Sequence, residues 1–151
     1  MEELLKPGER INQLFSTDIK IIQNREVFSY SVDSVLLSRF PRFPKNGLIV
    51  DFCAGNGAVG LFASSRTKAK ILSVEIQERL ADMAERSVRL NGLEEQMQVI
   101  CDDLKNMPSH IQGSKVDLIL CNPPYFKVDA NSNLNESEHY LLARHEITTN
   151  L

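Results

Sequence analysis

Asn122-Pro123-Pro124-Tyr125 is the stretch with the most specific chemistry in this chain. An exocyclic amine on an aromatic ring, or an amide nitrogen, is a poor nucleophile because its lone pair is delocalised. The Asn122 side-chain oxygen and the Pro123 carbonyl are placed to accept hydrogen bonds from such an NH2. That would pull the nitrogen toward tetrahedral geometry and aim its lone pair. Proline has no N–H, so Pro123-Pro124 makes a stiff segment that presents carbonyls. Tyr125 offers a ring face for stacking a planar group. Group transfer to that nitrogen would depend on positioning and electrostatics, with no general base required of the protein. Alone, the tetrapeptide is also a plain Pro-Pro turn; its company elsewhere in the chain gives it another meaning.

That company begins at Leu48–Gly60, LIVDFCAGNGAVG. An apolar strand runs into Asp51, then Cys53 and the loop Ala54-Gly55-Asn56-Gly57. A helix starts from the small, apolar residues Ala58 to Ser65. Glycine in the turn allows positive φ and close backbone approach to a ligand, and a helix N-terminus favours negative charge. Gly55, Gly57 and Gly60 also spell the G-x-G-x-x-G of dinucleotide binding. Taken alone that is a weak signal, and Asp51 argues against a pyrophosphate, which it would repel. A ligand with an amino group and a cationic centre would welcome the acid. S-adenosylmethionine has both and carries no phosphate.

Three further strands are expected, each ending in polar residues. Lys70–Val74 ends at Glu75-Ile76, Met97–Cys101 at Asp102-Asp103, and Val116–Cys121 at Asn122. Ligands of open α/β sheets bind beyond the carboxyl ends of the strands, where an acid such as Glu75 accepts from ribose hydroxyls. Asp102 or Asp103 is placed to accept from an adenine amino group; either could equally cap the turn at Leu104. A helix is expected over Glu78–Leu90, stopped by Asn91-Gly92. Strands alternating with helices imply βαβ units and a parallel sheet with helices on both faces.

Ahead of this core, residues 1–14 read as polar and loosely ordered. Ser16–Gln23 and Glu26–Ser31 read as a β-hairpin around Asn24-Arg25. Ser31 or Asp33 would cap a helix over Asp33–Phe40, ended by Pro41. Residues 1–46 thus form an N-terminal hairpin and helix segment, and residues 47–151 the ligand-binding core. Residues 127–137 read as a loop and Ser137–Arg144 as a helix. The last strand-like run ends at Cys121, so the final strands of a doubly wound sheet are missing. The unpaired edge this leaves invites dimerisation.

The 151 residues carry a net charge of −3, little electrostatic help for holding phosphates. Residues 1–46 hold seven Lys/Arg against six Asp/Glu, and residues 47–151 hold ten against fourteen. No apolar run approaches the roughly 18–20 residues of a membrane span, and no signal peptide is seen. Cys53, Cys101 and Cys121 are too widely spaced for a disulfide framework or a metal site. They read as buried free thiols in a reducing cytoplasm.

On DFCAGNG (51–57), VEIQ (74–77), the acids at 102–103, CNPPYF (121–126), FSYSVDSVLL (28–37) and ARHE (143–146), the chain resembles class I S-adenosylmethionine-dependent methyltransferases. Within them it is most similar to the bacterial tRNA1(Val) adenine-37 N6-methyltransferase family. The resemblance implies a Rossmann-like fold and methylation of the N6 amine of a tRNA adenosine. It implies cofactor contacts from Asp51, Cys53, Ala54, Gly55, Asn56, Gly57, Glu75, Ile76, Asp102, Asp103 and Asn122. Tyr30, Ser31 and Asp33 would lie nearby, while Asn122, Pro123, Pro124 and Tyr125 would grip the target base. Members of that family continue for roughly another hundred residues, about the size gap to a typical full domain. Other expectations from the same residues are a glutamine N5-methyltransferase acting on a protein, a fragment that binds cofactor without turnover, and a nicotinamide-dinucleotide module.

Overall fold

The computed structural model describes residues 4–14, 17–27 and 29–124. A parallel sheet forms from β3 (Leu48–Phe52), β4 (Lys70–Glu75), β5 (Met97–Cys101) and β6 (Leu118–Cys121), in the order β5-β4-β3-β6. Its helices are α1 (Val32–Arg39), α2 (Ala58–Ser64), α3 (Glu78–Leu90) and the short α4 (Met107–His110), which a 3-10 turn over Leu104–Asn106 precedes. An antiparallel pair, β1 (Glu9–Gln13) and β2 (Lys20–Asn24), stands apart from that sheet.

The alternation of side chains along each strand decides the layers. Ile49, Ile71 and Leu120 point to one face and pack with Ala58, Val59, Leu61, Phe62 and Val88. Val50, Leu72 and Val74 point to the other, where Met107, Leu104 and Ile111 cover them. α2 comes very close to the sheet. A Cβ on Gly60 would lie 2.7 Å from Ser73 Oγ and 2.8 Å from Met97 Cε. The third glycine of the G-x-G-x-x-G pattern therefore serves helix–strand packing.

The N-terminal segment departs from expectation. A hairpin forms, but not the expected one: its strands are 9–13, within the segment expected to be loosely ordered, and 20–24, while residues 25–27 form a turn and Phe28 lies outside the described residues. The first strand was hidden by its own polarity, because its Glu9 is consumed by an ion pair. Arg86 of α3, buried, meets both oxygens of Glu9, at 2.5 and 2.8 Å, and Asp82 at 2.6 Å. Burial raises the pKa of Glu9, but the Arg86 and Lys6 N–H donors and the Arg86 charge outweigh it and hold the carboxyl below its usual range. Removing one partner of a buried pair like this costs on the order of 3–5 kcal/mol. β2 is stitched to the same helix: Ser87 Oγ accepts from Ile22 N–H at 2.9 Å, and the Asn91 side chain bonds both backbone groups of Lys20. Leu14 and Ile21 join the core cluster of Ile49 and Leu61.

The other expected elements are observed within two residues of their expected ends, except that Ser137–Arg144 and the 127–137 loop lie outside the described residues. Gly60→Ala should lower unfolding free energy by about 1–3 kcal/mol through overpacking against Ser73 and Met97, read as a lower urea midpoint at unchanged slope.

Candidate functional site

The C-terminal tips of β3, β4 and β6 bring the sequence-marked residues to one rim. After β3 the chain turns on Cys53, whose φ is +55°, then on Gly55 at +57° and Gly57 at +84°. Only glycine visits that region readily, so Cys53 holds backbone strain of order 1–3 kcal/mol. The loop is fastened by Ala54 N–H to the Val74 carbonyl at 3.0 Å and by Gly57 N–H to the Ala54 carbonyl at 2.9 Å.

Asp51 is 1% exposed and neither of its oxygens has a hydrogen-bond partner. Burial pushes its pKa up to about 8; negative charge at Cys121 and Glu75 adds to this, and the Gly60 N–H opposes it without meeting the carboxylate at bonding geometry. Glu75, 6% exposed, accepts from Gly55 N–H at 2.8 Å and Gln77 N–H at 2.9 Å. Burial raises its pKa as well, against the amides of Gln77, Gly55 and Ile76. Among the described residues no lysine, arginine or histidine offsets either acid. An unpaired buried acid avoids the cost of its charge by keeping its proton, which fits the raised pKa of Asp51. Ile76, 42% exposed, offers an apolar face beside this rim.

Other expected residues divide. The Asn56 side chain is buried and turned to the Ile22 carbonyl at 3.2 Å, so it ties the loop to the hairpin. Asp103 caps the 3-10 turn through Lys105 N–H. Asp102 accepts from Asp103 N–H and Asn106 Nδ2 and pairs with His110 Nε2 at 2.7 Å, the contact that most lowers its pKa. Both acids thus hold the turn after β5. Ser31 occupies the N-cap of α1 without a side-chain cap bond; its hydroxyl lies 3.4 Å from Asp33 Oδ2. Tyr125 lies outside the described residues.

Asn122 follows β6 directly, and its Nδ2 donates a long bond, 3.5 Å, to Ser34 Oγ on α1. Ser34 was not expected at the site; its signal is that α1 buries serines 34 and 38 while Leu36 faces out. With the amide nitrogen directed at Ser34, the Asn122 oxygen is left to accept. A cleft of about 570 Å³ opens beside it, lined by Leu36, Leu37, Phe40, Cys121 and Asn122.

A family model described as Conserved hypothetical protein 95 matches residues 35–149, the span holding every one of these tips. The chain belongs to the Cons_hypoth95 family. Among its curated relatives, a protein of Shewanella halifaxensis named tRNA1(Val) (adenine(37)-N6)-methyltransferase is 31% identical over 76% of this chain and 46% of its own length. One of the same name from Bacteroides fragilis is 29% identical over 62% of this chain and 40% of its own. The Cons_hypoth95 chain therefore spans about half the length of the curated relatives it matches. Its fold is that of class I methyltransferases: a SAM-dependent methyltransferase from Agrobacterium tumefaciens superposes with a TM-score of 0.60 at 20% identity, over 80% of this chain and 41% of that one.

An acid whose folded pKa is raised keeps its proton in the folded state while the unfolded chain releases it. Stability should therefore fall as pH rises from about 4 towards about 8. Asp51→Asn should flatten that slope, measured by urea unfolding across the range in the absence of ligand.

Proposed function

We propose that this Cons_hypoth95 chain holds the cofactor-binding core of an enzyme that transfers a methyl group from S-adenosylmethionine to the N6 amine of an adenosine in tRNA. The observation that carries the reading is Asp51, a buried carboxylate with no protein partner at the mouth of a glycine loop. The donor set suits a cationic, phosphate-free nucleoside and repels a dinucleotide pyrophosphate. Asp51 would meet the charged amino-acid end of the cofactor, Gly55 and Gly57 would allow close approach, Glu75 would accept from ribose hydroxyls, and Ile76 would pack on the adenine. When bound, the cofactor supplies an electrophilic methyl group.

The chain's own work is to present the acceptor nitrogen. Asn122 Oδ1 and the Pro123 carbonyl take the two amine hydrogens, so the nitrogen lone pair leaves conjugation with the ring and points along the transfer axis. The proton is lost to solvent after transfer, so positioning supplies the rate. Ser34 is a positioning residue that holds the Asn122 amide in the accepting orientation. The names of the curated relatives support tRNA as the macromolecular substrate. Among the described residues no helix is long and apolar enough to cross a membrane and no metal-binding cluster occurs. Among the described residues β6 lies at the edge of the sheet with Ile119 more than half exposed, which supports pairing with a second copy through that edge.

Calorimetry with S-adenosylmethionine at pH 7, in buffers of different ionisation enthalpy, tests the cofactor reading. Binding should release up to about one proton, because the ligand cation stabilises the Asp51 carboxylate; Asp51→Asn should abolish the release. Glu75→Gln should weaken binding. Turnover is followed with methyl-labelled cofactor and tRNA, and Asn122→Ala should lower it on the order of 10²-fold with cofactor affinity little changed. Label in a protein glutamine instead of tRNA would overturn the substrate assignment.

A further inference from the structure

Cys53 and Cys121 end neighbouring parallel strands. Phe52 and Cys121 are partners in the β3–β6 register, and Cys53 is the next residue along. Cys121 faces Phe52 at the inter-strand spacing of about 4.8 Å, and Cys53, one residue further on, turns beside that pair at positive φ; a disulfide spans Cα separations of about 4.4–6.8 Å. The two thiols are neighbours close enough for each to shift the other's titration. Neither is sealed in the core as the sequence suggested; Cys121 is exposed and Cys53 half-buried. Cys101 is exposed too but ends β5, with β4 between it and β3. It is therefore two strand spacings from Cys53 and three from Cys121, about 10 and 14 Å, beyond disulfide reach.

We propose that Cys53 and Cys121 form a reversible disulfide, an oxidation site that joins the glycine loop to the strand carrying Asn122. The oxidant is a low-molecular-weight disulfide, R–S–S–R. Cys121 is the attacking thiolate, since it is the exposed one of the two and the neighbouring Cys53 thiol lowers its pKa. The Cys121 neighbour, burial and the nearby negative groups together raise the pKa of Cys53. Cys121 Sγ bonds to one sulfur and expels R–S⁻; Cys53 Sγ then attacks the mixed disulfide at Cys121 and expels the second R–S⁻. The protein loses two electrons and two protons, and two R–SH leave. The strained φ of Cys53 (+55°) would be trapped with its side chain directed across the rim, narrowing the entrance over Asp51. That last effect rests on the cofactor assignment; the bond formation does not.

The reduced full chain is incubated with oxidised glutathione and its cysteines mapped by alkylation and peptide mass. The expected result is loss of two of the three free thiols, a Cys53–Cys121 cross-linked peptide and no retained glutathione. Reversal by dithiothreitol and unchanged linkage in Cys101→Ser are also expected. Cys53→Ser should stop at a stable glutathione adduct on Cys121. Linkage to Cys101, adducts alone in the wild-type chain, or three surviving thiols would each overturn the proposal. S-adenosylhomocysteine affinity of the oxidised and reduced forms is measured in parallel. A mapped disulfide with no ligand binding in either form would leave the bond standing and sink the cofactor reading instead.

Discussion

Two acids sit almost sealed from water at the tips of adjacent strands, and among the described residues no positive charge offsets them. Such an arrangement is costly on its own, and the fold tolerates it through two different devices. Glu75 is wrapped by loop amides. Asp51 keeps its proton at neutral pH. The loop, the α2 N-terminus and the parallel register all converge on this pair. A buried acid of this kind at the mouth of the glycine loop would ionise only against a cation brought to it from outside.

Parallel pairing is what makes the tips coincide. With β4 central and β3 between it and β6, the residues following three strands share one edge without needing to be close in sequence. The close seat of α2, which leaves no room for a side chain at 60, fixes where the loop can travel. α1 is the odd element: it turns serines inward and leaves Leu36 and Phe40 outward, the latter 89% exposed. One of those inward hydroxyls is the partner of Asn122.

Most of the sheet was legible because its strands are short apolar runs that end in an acid, a glycine or a proline. That punctuation also put Asp51, Glu75 and Asn122 at or beside strand ends, where the structure has them. Periodicity failed for β1, whose Glu9 and Arg10 read as solvent-facing until the distant Arg86 is known. It failed for Ser34 too, since a helix with buried serines carries no amphipathic signal. Asn56 shows a subtler limit. Its position in the glycine loop is read from the sequence, but the direction of its side chain follows from where β2 lies. The acids at 102 and 103 could not be assigned from sequence because capping and ligand contact ask for the same residue type.

The Asn56 contact has a consequence for the first residues of the chain. β2 is held to α3 by Ser87 and Asn91, β1 by the Arg86 clasp, and Asn56 hooks the same hairpin to the glycine loop. The N-terminal strand pair is thereby a strap whose buckle is at Arg86 and whose far end is fastened to the glycine loop. By thermodynamic reciprocity, any molecule that quiets that loop tightens the strap. Amide protons of residues 20–24, which touch no ligand, would then register its arrival.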